Sequence, residues 1–114
     1  MPEIMQMAEE LGRAISRSPQ AAAFRRARQT LEADSEISET LKQYDEQARK
    51  IAQLEVENKP VEVDDKHKLQ ALQNKLTASD LFKKYTATQL EYVDLMRQVN
   101  EALRRQLTET EGQE

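Results

Sequence analysis

Cysteine is absent from this chain, which excludes disulfides, thiolate zinc sites, cysteine-ligated iron–sulfur clusters and cysteine nucleophiles. Glycine is nearly absent: two residues in 114 leave almost nothing for phosphate-cradling loops or β-turns. Tryptophan is missing, aromatics are 4% of the residues, and histidine occurs once. A metal site on that residue, His67, would need further ligands converging on it. Its neighbours Lys66 and Lys68, with Asp64 and Asp65 upstream, read instead as a charged helix start. Long hydrophobic runs are missing too. A membrane span needs about 20 consecutive apolar residues, and a signal core needs an apolar run behind a basic N-terminus; neither pattern is read here. An excess of positive charge is also lacking, with 17 Lys and Arg against 21 Asp and Glu and a net charge of −4. That balance argues against a general nucleic-acid coat and fits a cytoplasmic protein.

What the chain does have is apolar residues at helical spacing. A first helix is predicted from about Glu3 to Arg17, with Ile4, Met7, Ala8, Leu11 and Ile15 along one side. Gly12 weakens it, and an interior glycine of this kind predicts close packing of another helix. Ser18-Pro19 is a start signal, because serine caps and proline at the first helical position has no N–H to satisfy. The second helix is predicted over Pro19–Ala33, with Ala23, Phe24, Ala27 and Leu31 on its stripe. Asp34-Ser35 predicts the next start. The third helix then carries Ile37, Leu41, Tyr44, Ala48 and Ile51, a heptad seam, and reaches about Glu57. Asn58-Lys59-Pro60 stops it, and residues 58–63 read as a loop whose Val61 and Val63 tuck against the hairpin. Asp64 or Asp65 is the predicted cap of a fourth helix with Leu69, Leu72 and Leu76. Ser79 caps a long fifth helix with Phe82, Tyr85, Gln89, Tyr92, Met96, Val99 and Leu103 on a 3–4 repeat.

These elements predict an all-α fold: a five-helix bundle with a long antiparallel helical hairpin, third helix against fourth, and a long C-terminal helix. The two N-terminal helices form a smaller lobe or close onto the end. Residues 1–108 read as one helical domain and 109–114 as an acidic, frayed tail. The apolar face of the fifth helix is broad for so small a chain, so a homodimer or higher oligomer is expected.

Chemistry-bearing groups do not converge in the sequence. The carboxylates fall on polar helix faces, and adjacent ones such as Asp45 and Glu46 point in different directions. Asp64 stands three residues before His67, but a di-iron bundle site requires two Glu-x-x-His pairs, and the chain has one histidine and no such pair. The expectation is therefore a protein with no enzymatic activity, no cofactor and no metal. Two candidate surfaces remain. The first is the set of seam residues Ile37, Leu41, Tyr44, Ile51, Tyr85, Tyr92, Met96 and Val99, a candidate protein interface in which the tyrosines are core or anchor residues. The second is the arginine cluster of the second helix, Arg25, Arg26 and Arg28, a candidate RNA contact. Segment 18–33 holds these three arginines against one Glu, whereas segment 34–57 holds seven acids against three bases. Aromatic interleaving around the arginines is absent, so a solvated face is the simpler account.

The layout resembles the YlbF/YmcA family of small bacterial helical proteins. The resemblance rests on Ser18-Pro19 with Phe24 and Ala27, Leu31 with Ala33-Asp34, Leu41 and Tyr44, Leu76, then Phe82, Tyr85, Gln89 and the run from Leu95 to Asn100. It covers roughly residues 3–105 and involves no catalytic motif. It implies an all-helical fold, a tendency to self-associate and a regulatory role without catalysis. Some members form a complex that acts with ribonuclease Y in mRNA processing and so affect competence, sporulation and biofilm formation. The partners it implies are further copies of the chain and RNA-decay or regulatory proteins. Members that help carry iron–sulfur clusters do so through cysteines, which this chain lacks.

Overall fold

A computed structural model describes residues 2–112. All five predicted helices are present: α1 (Pro2–Ser16), α2 (Pro19–Ala33), α3 (Ser35–Val56), α4 (Val63–Ala78) and α5 (Asp80–Gly112). Among the described residues there is no strand, so the chain is all-α as its periodicity predicts. Helix α5 continues to Gly112, past the expected start of the tail, and residues 113 and 114 lie outside the described ones.

Single polar side chains set three of the four corners. Ser18 serves two helices: its hydroxyl donates to the Ile15 carbonyl at 2.6 Å and accepts from the Ala21 N–H at 3.1 Å. Asp34 sits in extended backbone, and its carboxylate accepts from the Ile37 N–H at 3.1 Å. Ser79 repeats the device, its hydroxyl accepting from the Phe82 N–H at 3.2 Å. Each cap satisfies an amide that the first helical turn leaves without an intrahelical acceptor.

The remaining corner is built differently. Asn58 takes a left-handed conformation, φ 57°. Lys59 N–H donates to the Leu54 carbonyl at 2.8 Å and Asn58 N–H to that of Glu55 at 3.1 Å. This is the Schellman arrangement that closes a helix C-terminus. Beyond it, α4 starts earlier than expected. Its N-cap is Glu62, which makes no side-chain cap bond, and Asp64 and Asp65 lie inside the first turn. They compensate the positive end of the helix there. The Asp65 carboxylate is held by α3, which is why it does not cap. Val63, expected to tuck inward, is 64% exposed in the first turn, while Val61 is half-buried.

The chain divides into two compact units. One runs Ala27–Tyr85, and the other comprises the residues up to Arg26 and those from Thr86 onward, so α2 and α5 each continue through a boundary. The Ala27–Tyr85 unit contains the α3–α4 hairpin and a core of Leu31, Ile37 and Leu76. Leu41, Tyr44, Leu81, Phe82 and Tyr85 pack against that core. Leu76 is 2% exposed; burying a leucine this fully contributes about 1.5–3 kcal/mol. The hairpin is antiparallel: Ile37, early in α3, shares the core with Leu76, late in α4, and Gln47, later in α3, bonds Asp65, early in α4. In the other unit Phe24 of α2 stacks on Tyr92 of α5 with ring centroids 5.5 Å apart, and Ala21 and Thr88 are buried.

Candidate interaction surfaces

The seam residues singled out from sequence divide between the two units. In the Ala27–Tyr85 unit, Ile37 is buried in the core, and Leu41, Tyr44 and Tyr85 are half-buried against it. Ile51, further along α3, is half-buried. These side chains first serve the fold of the unit. In the other unit, Tyr92 stacks on Phe24, and Met96 and Val99 continue its stripe along α5 as half-buried residues.

A polar lock holds the hairpin. Gln47 is 5% exposed, and its amide donates to the Asp65 carbonyl at 3.0 Å and to the Asp65 carboxylate at 3.3 Å. Lys50 Nζ reaches the same carboxylate at 3.0 Å. The hydrogen bond from Lys50, then that from Gln47, holds the Asp65 carboxyl below the usual aspartate range. On α5, Arg97 bridges Asp94 at 2.7 Å and Glu101 at 2.9 Å, and its hydrogen bond lowers the Asp94 carboxyl in the same way. These are hydrogen-bonded ion pairs on helix surfaces.

A groove of about 360 Å³ opens on the Ala27–Tyr85 unit, with Leu31, Leu41 and Tyr85 among its lining. Arg28, Lys42 and Arg49 line it together with Glu32, Asp45 and Glu46. A lining of balanced sign around apolar residues suits a peptide or helix better than a polyanion. Arg25, Arg26 and Arg28 are all exposed, and the Arg25 guanidinium donates to the Ser16 carbonyl at 3.4 Å. His67 is exposed, and among the described residues no group of three or more His, Asp or Glu is placed to hold a metal ion. No helix among them is long and apolar enough to cross a membrane.

Several large apolar side chains that the structure leaves exposed were not among the sequence candidates. On α1, Ile4, Met5 and Met7 are 60–62% exposed and Leu11 is 37% exposed. On α5, Leu103 and Leu107 are 50% and 67% exposed. The expected close approach at Gly12 is not met within the chain, because a Cβ there would find nothing within 4 Å. The stripes themselves are legible as helical periodicity. Their exposure is not, since a covered stripe and an uncovered one have the same spacing.

The family model described as control of competence regulator ComK, YlbF/YmcA, matches residues 4–108. The chain belongs to this family. The YlbF/YmcA match begins in α1 and ends in α5, so it takes in all five helices, both candidate surfaces and the exposed α1 face. The family's description is regulatory: it concerns control of a competence regulator. Comparison with curated proteins finds no match.

Proposed function

We propose that this chain is a non-enzymatic regulatory adaptor that works through helix-mediated protein–protein contacts, with itself and with proteins of bacterial mRNA processing. The observation that carries the reading is the uncovered apolar surface of α1 and α5. Apolar side chains that a helical chain of this size leaves in water mark an interaction site. Membership in a family described by control of a competence regulator supports a regulatory role, and the resemblance to members that act with ribonuclease Y supports RNA-decay proteins as the class of partner. The half-buried α5 stripe of Tyr92, Met96 and Val99 leads into exposed Leu103, which makes it the natural continuation of such a surface.

The test is charge insertion on that stripe. Met96→Glu and Val99→Glu reduce self-assembly and partner capture while the far-UV circular dichroism stays helical. Unchanged assembly and capture in both variants overturns the reading.

A second reading, RNA contact through Arg25, Arg26 and Arg28, draws support from the exposure of all three. Its mark is salt-dependent RNA affinity that falls when the three are replaced together. Absence of any RNA shift at low salt removes it.

A further inference from the structure

Sulfur occurs in this chain only as methionine thioether, because cysteine is absent. Two of the four methionines, Met5 and Met7, are 61% and 62% exposed on α1, whereas Met96 on α5 is half-buried. The places of Met5 and Met7 on the helix are complementary. Residues two apart lie about 200° apart around a helix axis. Met5 and Met7 therefore stand at opposite margins of the apolar face of α1, with Ile4, Ala8 and Leu11 between them. Acids begin directly beyond each margin. Glu9 stands one turn after Met5, and Glu3 and Glu10 stand one turn to either side of Met7.

We infer that Met5 and Met7 form a reversible oxidation site, and that their conversion to methionine sulfoxide narrows the apolar face of α1. The co-reactant is a two-electron oxidant of the peroxide class. The thioether sulfur attacks one oxygen of hydrogen peroxide. An S–O bond forms, the O–O bond breaks, and the second oxygen leaves as water with both protons. Sulfur is oxidised by two electrons and the peroxide is reduced by two. A methionine sulfoxide reductase reverses the step: two thiols become a disulfide, and the sulfoxide oxygen leaves as water.

Exposure selects the methionines that react. A peroxide reaches the Met5 and Met7 sulfurs without any opening of the fold, while packing on α5 shields Met96. Position sets the consequence. A sulfoxide is polar where the thioether was apolar. With both margins converted, the apolar arc of α1 falls from about 160° to about 100°, the lower limit for a helix stripe that seats on a neighbour. Ile4 and Leu11 keep the centre apolar, but the acidic side of the helix now extends inward from both edges. The regulatory meaning of this change rests on the adaptor reading above; the modification itself does not.

The experiment treats the full chain with hydrogen peroxide and follows each methionine by peptide mass spectrometry. Met5 and Met7 each gain one oxygen at least about fivefold faster than Met96 in the folded chain, and all three react alike in denaturant. Retention on a phenyl matrix then falls while circular dichroism stays helical, and reductase with dithiothreitol restores it. A Met5→Leu, Met7→Leu double variant keeps its retention through peroxide treatment, because leucine fills a similar volume without an oxidisable sulfur. Equal rates at Met5, Met7 and Met96 in the folded chain overturn the inference. So does a sulfoxide pair that leaves retention unchanged, or a double variant that loses retention as the wild type does. Reduced protein that captures no partner, with the sulfoxide pair forming and reverting as described, sinks the adaptor reading alone. Capture intact, with Met96 as reactive as the α1 pair, sinks the oxidation site alone.

Discussion

The Gln47 side chain, 5% exposed on α3, donates to both the carbonyl and the carboxylate of Asp65 on α4. A buried amide with its donors placed this way acts on register. Sliding the hairpin by one residue strips Gln47 of its partners, and an unsatisfied buried polar group costs about 1–3 kcal/mol. Leucine periodicity alone tolerates such slips less selectively, since neighbouring registers still bury apolar surface. Gln47→Ala is expected to lower stability by about 1–2 kcal/mol, read as a shift in the urea midpoint.

Acid sensitivity follows from the same contact. The folded-state Asp65 carboxyl lies below its ordinary value because Lys50 and Gln47 donate to it. A depressed carboxyl contributes stability that is complete above the unfolded value, about 3.9, and is lost as pH falls through the lower folded value. Asp94, held by Arg97, and Glu57, held by Gln53 and then Lys59, act in the same direction. Stability should therefore be flat near neutrality and fall in acid. Asp65→Asn should flatten the acid limb, and a denaturant series against pH measures it.

The hairpin turn offers a stabilising change. Asn58 holds φ 57° in a Schellman closure, a position where glycine meets no Cβ penalty. The added freedom of the unfolded glycine offsets part of the gain. Asn58→Gly is expected to raise stability by about 0.5 kcal/mol, with the urea midpoint rising at unchanged slope.

Core and surface leucines should respond differently. Leu76, 2% exposed, should lose about 2–5 kcal/mol on change to alanine. Leu107, 67% exposed, should stay within about 0.5 kcal/mol in the monomer. Thermal or urea melts of the two variants check the contrast. Ile37 belongs with Leu76, so a charge placed there reports on folding before it reports on any interface.

The helix boundaries were largely legible because local chemistry determines them. Ser18-Pro19, Asp34 and Ser79 each carry a side-chain acceptor in the right place, and each caps. The start of α4 was not legible. Asp64 and Asp65 look like caps, but the helix begins at Val63 behind a Glu62 that makes no cap bond, and Asp65 is engaged by residues 15 and 18 positions upstream. No local pattern encodes that long-range contact. The candidate surfaces were legible only in part, for a related reason. Ile37 and Tyr92 sit on ideal seam spacing, yet one is core and the other stacks on Phe24. Ile4 and Met7 have equally good spacing and are exposed. Periodicity marks which face is apolar, and tertiary packing decides which apolar face is left over.

The most direct test of the adaptor account is affinity capture from the native cell, with and without ribonuclease treatment. The account predicts protein partners that survive ribonuclease, RNA-decay factors among them. Partners that disappear with the RNA would contradict it and move Arg25, Arg26 and Arg28 to the centre of the mechanism.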